Sequence, residues 1–268
     1  MWLRICGVRG SRPAAGSSFS RVGGNTSCVA FGRRGELPSL VLDAGTGLTT
    51  LMEVMGDHPF RGTILFGHLH WDHTHGLPFF GPFYSPGWLP EIYAPDFPVV
   101  PREWLSSLFR APNFPVPFDS LPNRPAMHFI AAQALEIGGF KVGVQRLTHP
   151  GGSFAYRIQG RSGDLCYMSD HEFGDPEVDE QLREFCRNCA AVISDAHFTP
   201  VELPRHKGWG HGSWLQCAEF AASCHARHLW LFHHKPGRTD AELDHIVADA
   251  RRVFPATSAA AEGLAFEI

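Results

Sequence analysis

The chain has 268 residues, of which 44% are hydrophobic and 19% charged, and its formal net charge is −4. This is an ordinary globular composition, and the length allows one large α/β domain or two small ones. The acidic balance and the lack of a long Lys/Arg block disfavour nucleic acid as a ligand, because its phosphates need a basic surface.

The sequence gives no sign of export or membrane insertion. The N-terminal run Met-Trp-Leu-Arg-Ile-Cys predicts a strand, not a signal peptide, and no apolar segment is long enough to span a membrane. The seven cysteines are scattered and odd in number, unlike a disulfide framework, and Cys186-Arg-Asn-Cys189 lacks the second pair of a zinc site. We therefore expect a cytoplasmic protein.

In chain order, the pattern predicts a strand-rich α/β chain with few helices. Strands are expected at 3–8, 27–31, 40–42, 63–66, 91–93, 127–130, 140–147, 154–158, 165–168, 191–193, 229–232 and 264–267. Helices are expected at 48–55, 176–186, 213–226 and 239–254, the last two opening with capping boxes.

Residues 79–126 are rich in Pro and Phe, so we expect little regular structure there. The segment could form a lid over the site, a contact in a homodimer or an irregular wrap of the core. We favour the first two interpretations equally. The rest of the chain shows no linker, which predicts a single domain over 1–268.

Residues 68–73 read His-Leu-His-Trp-Asp-His and directly follow an apolar run. A strand that ends in such a cluster presents nitrogen and oxygen donors on a loop, where a metal ion can reach them. Further donors follow apolar runs at His149, Asp170 and His233. A hydrolytic dinuclear centre needs about three ligands per metal and a shared carboxylate, and this set is large enough to supply them.

These motifs resemble the metallo-β-lactamase superfamily, and within it the branch of ribonuclease Z and related small phosphodiesterases. The resemblance is carried by His68-Leu-His70-Trp-Asp72-His73, His149-Pro-Gly-Gly, Tyr167-Met-Ser-Asp170, Gly210-His211-Gly212-Ser213, His233, Gly7-Val-Arg-Gly-Ser, Gly23-Gly-Asn-Thr-Ser-Cys and Leu42-Asp43-Ala-Gly-Thr-Gly. It spans nearly the whole chain and implies a four-layer αββα sandwich.

The resemblance also implies the ligands of two divalent metal ions. His68, His70 and His149 would hold the first ion, Asp72, His73 and His233 the second, and Asp170 would bridge them. Donors of this kind without thiolate suit zinc, with manganese and iron as alternatives. The two ions would acidify a bridging water, whose hydroxide would attack phosphorus.

Asp72 and His211 are the expected catalytic residues. His211 would donate a proton to the leaving group near the N-terminus of the 213–226 helix, which suits a phosphate. Related enzymes carry His-Ser-Thr here, whereas this chain has His-Gly-Ser at 211–213. Asp43 and Asp195 end apolar strands, where carboxylates often accept the second N–H of a ligating histidine.

Four functions are compatible with this interpretation of the sequence. We favour a phosphodiesterase acting on a small diester such as a cyclic nucleotide. The second is a tRNA 3′-end endonuclease. In the family this activity relies on a flexible arm that grips tRNA, and we find no Gly/Lys-rich insertion that would form such an arm. The third is hydrolysis of a lactone, thioester or β-lactam on the same centre, because fold alone does not choose the substrate. The fourth is a metal-binding sensor without turnover.

Overall fold

Two seven-stranded sheets form the framework of the computed structural model, which describes residues 1–88 and 90–268. In edge-to-edge order, the first sheet contains β14 (Ala265–Glu267), β1 (Trp2–Gly7), β2 (Cys28–Gly32), β3 (Pro38–Leu42), β4 (Thr63–Leu65), β5 (Glu91–Pro95) and β6 (Ala126–Ile130). The second contains β13 (Thr257–Ala259), β12 (Leu229–Phe232), β11 (Ala191–Asp195), β10 (Leu165–Met168), β9 (Ser153–Ile158), β8 (Phe140–Leu147) and β7 (Leu135–Ile137).

Each sheet is half antiparallel and half parallel. Strands β3 to β6 run parallel in the first sheet, and β10 to β13 run parallel in the second. Parallel strands bring their carboxyl ends to one edge of a sheet, where α/β folds place their ligand-binding loops. Both sheets therefore offer loops for a functional site.

The described residues form six α-helices, four of which pack against the sheets. They are α1 (Leu48–Met55), α2 (Trp71–Thr74), α3 (Trp104–Ser107), α4 (Pro176–Phe185), α5 (Trp214–Ser223) and α6 (Asp240–Val253). Helix α1 lies against the first sheet, and α4, α5 and α6 lie against the second. The predicted capping boxes of α5 and α6 are both present, at Ser213 with Gln216 and at Thr239 with Glu242.

Alternation along the strands of the first sheet divides its side chains between two cores. Along β2, Val29 and Phe31 belong to the core shared with the second sheet, whereas Cys28 and Ala30 belong to the outer core beneath α1. Successive side chains of a strand point to opposite faces, so a sheet buried on both sides needs apolar residues at every position. The predicted αββα arrangement is confirmed.

Residues 79–126 wrap the outer face of the first sheet. Phe80, Phe83, Trp104 and Phe109 are buried in the core that contains α1. Beyond β5, α3 and single 3₁₀ turns, the segment is irregular, as predicted. The buried rings fit an irregular wrap of the core, and neither a lid nor a dimer contact accounts for them. A further role as lid or dimer contact stays a prediction. Leu89 lies outside the described residues.

Every predicted strand and helix is present, with ends shifted by a few residues at most. The short strands β7 and β13 and the single-turn helices α2 and α3 were not expected. All seven cysteines are buried free thiols. Within the part of the chain that the structure describes, no helix is long and apolar enough to cross a membrane. The assignment of residues 1–268 to one domain stays a prediction.

Candidate metal centre

The motif at residues 68–73 lies at the carboxyl end of β4 and runs into helix α2. His68 precedes the helix, His70 is its N-cap residue with extended backbone, and Asp72 and His73 lie in its first turn. Of these, His70 is exposed and the other three are buried. The loop and the single helical turn thus bring four donor groups to His149, Asp170 and His233 of the second sheet.

The second sheet supplies the remaining predicted donors. His149 lies in the turn between β8 and β9, Asp170 follows β10 by two residues, and His233 directly follows β12. Asp170 and His233 lie at the carboxyl ends of parallel strands, as expected. Both have positive φ, 63° and 55° respectively, a conformation that costs a non-glycine residue on the order of 1–3 kcal/mol.

The structure brings all seven predicted ligands together in overlapping groups. The donor atoms within each of the sets His68/His70/His149, Asp72/His73/His233 and His68/His73/Asp170 lie within 4.8 Å of one another. Asp170 stands between the first two sets. Its Oδ1 is 3.8 Å from His68 Nε2, and its Oδ2 is 3.0 Å from His73 Nε2 and 3.3 Å from His233 Nε2.

The unpaired ring of His68 fits a metal ligand. The residue is 4% exposed, and neither ring nitrogen has a hydrogen-bond partner among the described residues. Burial, reinforced by His73, lowers the pKa of His68 well below its usual value, so the ring is neutral and keeps a lone pair. Buried polar atoms without a partner are costly, and a divalent cation would satisfy this one.

His149 is oriented for the same role. Its Nδ1–H donates to the carbonyl of Gly210 at 2.9 Å, which leaves Nε2 as the acceptor nitrogen, 3.2 Å from His70 Nδ1. A backbone carbonyl that fixes one ring nitrogen of a ligating histidine is a common supporting contact in metal sites. Nitrogen and carboxylate donors without thiolate suit zinc and similar divalent ions.

In the group formed by Asp72, His73 and His233, nearby carboxylates raise the pKa values of the two histidines. Burial works against protonation of His73, yet the surrounding carboxylates, Asp43 first, raise its pKa well above the usual value. Asp170 and Asp195 likewise raise the pKa of His233 to about 10 against the effect of burial. Without a metal, protonated rings therefore balance the carboxylates, and metal binding would displace those protons.

Asp43 is the buried anchor beneath this group. Its Oδ1 accepts the Gly67 N–H at 3.1 Å, and its Oδ2 accepts the Tyr167 hydroxyl at 2.6 Å. The same Oδ2 lies 2.8 Å from His73 Nδ1, which directs Nε2 of that ring toward Asp170. The sequence predicts that Asp43 supports a ligating histidine; this contact is compatible with that role, which stays a prediction, and would leave His73 Nε2 for a metal.

Asp195 contacts His211 and lies 3.7 Å from Nδ1 of His233, so its predicted role beside a ligating histidine stays a prediction. Its Oδ2 is 2.7 Å from His211 Nδ1, and its Oδ1 accepts the His197 N–H at 3.0 Å. The rings of His197 and His211 are stacked, with centroids 4.6 Å apart and planes inclined by 16°. Burial lowers the pKa of His211, but Asp195 outweighs it and the net shift is upward. His211 is therefore held in one orientation beside the cluster.

Sequence reasoning missed the contacts that position the predicted residues. The Ser11 N–H donates to Asp72 Oδ2 at 2.6 Å, and the carboxylate of Glu172 accepts the N–H groups of Gly208 and Gly210. Gly10 faces the His233 ring so closely that a Cβ there would lie 2.4 Å from its Cε1. The sequence pattern Gly7-Val-Arg-Gly-Ser was the signal for the loop that contains Gly10 and Ser11.

Comparison with known proteins places these features in a family. The family model described as "Beta-lactamase superfamily domain" matches residues 40–234, well over half of the chain. A ribonuclease Z of Thermoplasma acidophilum is 28% identical over 95 residues, covering 35% of this chain and 30% of that protein. The match thus spans less than a third of this curated relative.

Two solved structures share the fold over their whole length. The metallo-beta-lactamase fold protein YhfI from Bacillus subtilis has a TM-score of 0.73 at 20% identity, covering 99% of this chain and 98% of that one. A diphosphatase from the PhnP family has a TM-score of 0.72 at 19% identity, covering 100% and 97%. At this identity, the likeness concerns the fold alone.

The Asp43→Asn variant tests the anchor beneath the cluster. An amide has one accepting oxygen and no charge, so in either orientation its NH2 group faces a donor, the Gly67 N–H or the Tyr167 hydroxyl, and the His73 ring loses its anionic partner. We expect zinc affinity to fall by roughly 10–100-fold, measured by competition with a chromophoric chelator. The exposed Asp57→Asn change is the matched control, and equal affinities of both variants would contradict the positioning role.

Proposed function

The chain belongs to the beta-lactamase superfamily, and from this premise we propose that it is a phosphodiesterase that uses two divalent metal ions to hydrolyse a small diester such as a cyclic nucleotide. The coarser assignment, a metallo-β-lactamase-fold hydrolase with His/Asp clusters suited to metal, rests on the family match and the clusters themselves. The observation that carries the finer proposal is the His211–Asp195 pair at the edge of the clusters.

We divide the proposed ligands as the family resemblance implies. His68, His70 and His149 would hold one ion, and Asp72, His73 and His233 the other, with Asp170 shared. Zinc is the proposed metal, with manganese or iron as alternatives. When bound, such ions supply Lewis acidity that activates water and neutralises charge on phosphoryl oxygens.

Asp170 and Asp72 hold the cluster in its working arrangement. Asp170 directs one oxygen to each group of donors, so the two groups cannot separate without losing it. Asp72 Oδ2 accepts the Ser11 N–H and lies 3.1 Å from His233 Nε2, which ties the N-terminal loop to the donors. The catalytic role assigned to Asp72 is thus, in our proposal, exerted as a ligand.

His211 is the proposed proton donor. Its Nδ1–H donates to Asp195 Oδ2 at 2.7 Å, so Nε2 is the nitrogen left to deliver a proton to the leaving oxygen. The side chain is 11% exposed, so it has limited contact with solvent. Asp195 stabilises the protonated ring, and the stacked His197 restricts its rotation.

The first test is hydrolysis of bis(p-nitrophenyl) phosphate by zinc-loaded protein, beside a lactone, a β-lactam and a precursor tRNA. We expect diester cleavage that a chelator abolishes and added zinc restores, because the ligands bind metal reversibly. Turnover of the lactone or β-lactam without the diester would contradict the proposal. Cleavage of the tRNA precursor far in excess of small diesters would favour the endonuclease that the ribonuclease Z similarity suggests.

The second test is His211→Ala, with His206→Ala as the matched control. We expect the first variant to keep its metal content and to lose roughly 10²–10⁴ in kcat, the usual contribution of a general acid. The loss should be smaller for p-nitrophenyl esters than for alkyl esters, because a good leaving group needs little protonation. An equal loss on both ester types would assign His211 a structural role.

A further inference from the structure

A cleft of about 340 Å³ opens beside the His-x-His-x-Asp-His segment. Its walls include Trp71, His75, Phe79, Trp104 and Phe114, and we call this space the aromatic cleft. Trp71 and His75 come from α2 and the residue that follows it, whereas Trp104 and Phe114 come from the Pro/Phe-rich segment. None of the proposed steps of hydrolysis uses these rings.

The rings of the aromatic cleft contact one another in pairs, and two of them are largely exposed to solvent. Trp71 and His75 meet edge to face at 5.0 Å, as do Phe79 and Phe114 at 5.6 Å. Trp104 is buried, whereas Trp71 is 70% and Phe79 68% exposed. Large aromatic side chains that remain open to solvent around a cleft mark a binding site more often than a defect of packing.

The aromatic cleft adjoins a second cleft that reaches two of the proposed metal ligands. The second cleft, of about 180 Å³, is lined by His68, His70 and the turn Gly151-Gly152, and both clefts share Leu69 and Trp104. Leu69 stands between two proposed ligands in the sequence. A substrate with its phosphoryl group at the ligands can therefore extend a substituent across Leu69 into the aromatic cleft.

The lining indicates the chemistry of that substituent. Among the described residues, no Lys, Arg, Asp or Glu lines either cleft, so neither is built to follow a chain of phosphates or to pair with a fixed charge. An engineered apolar cavity of about 150 Å³ holds a benzene molecule, so the aromatic cleft has room for a larger ring system. Stacking on aromatic side chains selects planar rings without requiring charge.

We propose that the aromatic cleft binds a neutral planar ring, an aryl group or a nucleobase, carried by an ester substituent of the substrate. The substrate class is then an aryl or nucleoside phosphodiester. This inference rests on the proposed function for the identity of the phosphoryl group. The cleft itself is tested by binding, without turnover.

The experiment compares phenylphosphonate with methylphosphonate by calorimetric titration into zinc-loaded protein. The two ligands present the same charged group to the metal and differ in the ring. We expect phenylphosphonate to bind about tenfold more tightly or better, since stacking of its ring on aromatic side chains adds affinity that the methyl group cannot supply. Thymidine 5′-phosphate, titrated in parallel, separates a preference for a nucleobase from one for a simple aryl group.

Variants then locate the preference. Trp71→Ala and Phe114→Leu should each reduce the ratio of the two affinities severalfold while leaving methylphosphonate binding unchanged, and the leucine keeps the bulk of the side chain. Trp209→Ala, which removes an exposed ring outside the cleft, should leave the ratio intact. Equal affinities in the native protein, or a ratio unchanged in both variants, would overturn the proposal. Failure to cleave diesters would instead refute the phosphodiesterase and leave a measured ring preference standing.

Discussion

Four buried carboxylates lie close together at the candidate site. The arrangement of the surrounding loops depends on how positive groups neutralise their charge. Asp43, Asp72, Asp170 and Asp195 are each at most 5% exposed. Within residues 1–88 and 90–268, every ion-pair partner that they have inside 4 Å is a histidine. Burying an unpaired carboxylate costs several kcal/mol, so the histidine rings must carry protons or share metal ions with the carboxylates.

This constraint links the two sheets at the base of the site. The Tyr167 hydroxyl, from the second sheet, donates to Asp43 at the end of β3, and the Tyr156 hydroxyl donates to the Phe66 carbonyl at 2.5 Å. Both tyrosines are fully buried. These bonds join the two sheets close to Asp43, which also accepts the Gly67 N–H and lies 2.8 Å from His73, so they help to fix the support of the donor groups.

Backbone strain concentrates where the charges lie. Ser11, Asp43, Asp170 and His233 all have positive φ, and each contributes a side chain or an N–H group to the cluster. Left-handed conformations in such residues persist where the surrounding structure enforces them, and they gather at functional sites. The buried carboxylates and this strain reduce stability together, which is the pattern expected of a site kept for binding and chemistry.

Sequence reasoning reached most of the fold and the members of the cluster, because both depend on local pattern. Apolar runs followed by a polar residue located Asp170 and His233, since a strand end and its loop are adjacent in the chain. The sequence did not reveal which residues contact the other carboxylates of the cluster. Tyr167 contacts Asp43 across 124 positions of sequence, and Ser11 contacts Asp72 across 61. No spacing rule connects residues that distant.

The Pro/Phe-rich segment shows a second limit. Its composition predicted irregular backbone correctly, but composition does not say which side of an irregular segment is buried. Phe80 and Phe109 pack into the core, whereas Phe79, adjacent to Phe80, faces the aromatic cleft. Helical and extended periods assign faces to side chains, and irregular segments have no period to read. The sequence alone therefore did not locate the proposed binding surface beside the proposed metal ligands.

The claim on which the rest depends is that Asp170 joins two metal sites. Crystals of zinc-loaded protein, measured on both sides of the zinc absorption edge, test it directly. We expect two anomalous peaks, one beside His68, His70 and His149 and the other beside Asp72, His73 and His233, with Asp170 in contact with both. A single peak at full zinc loading, or two peaks of which Asp170 touches one, would contradict the dinuclear centre.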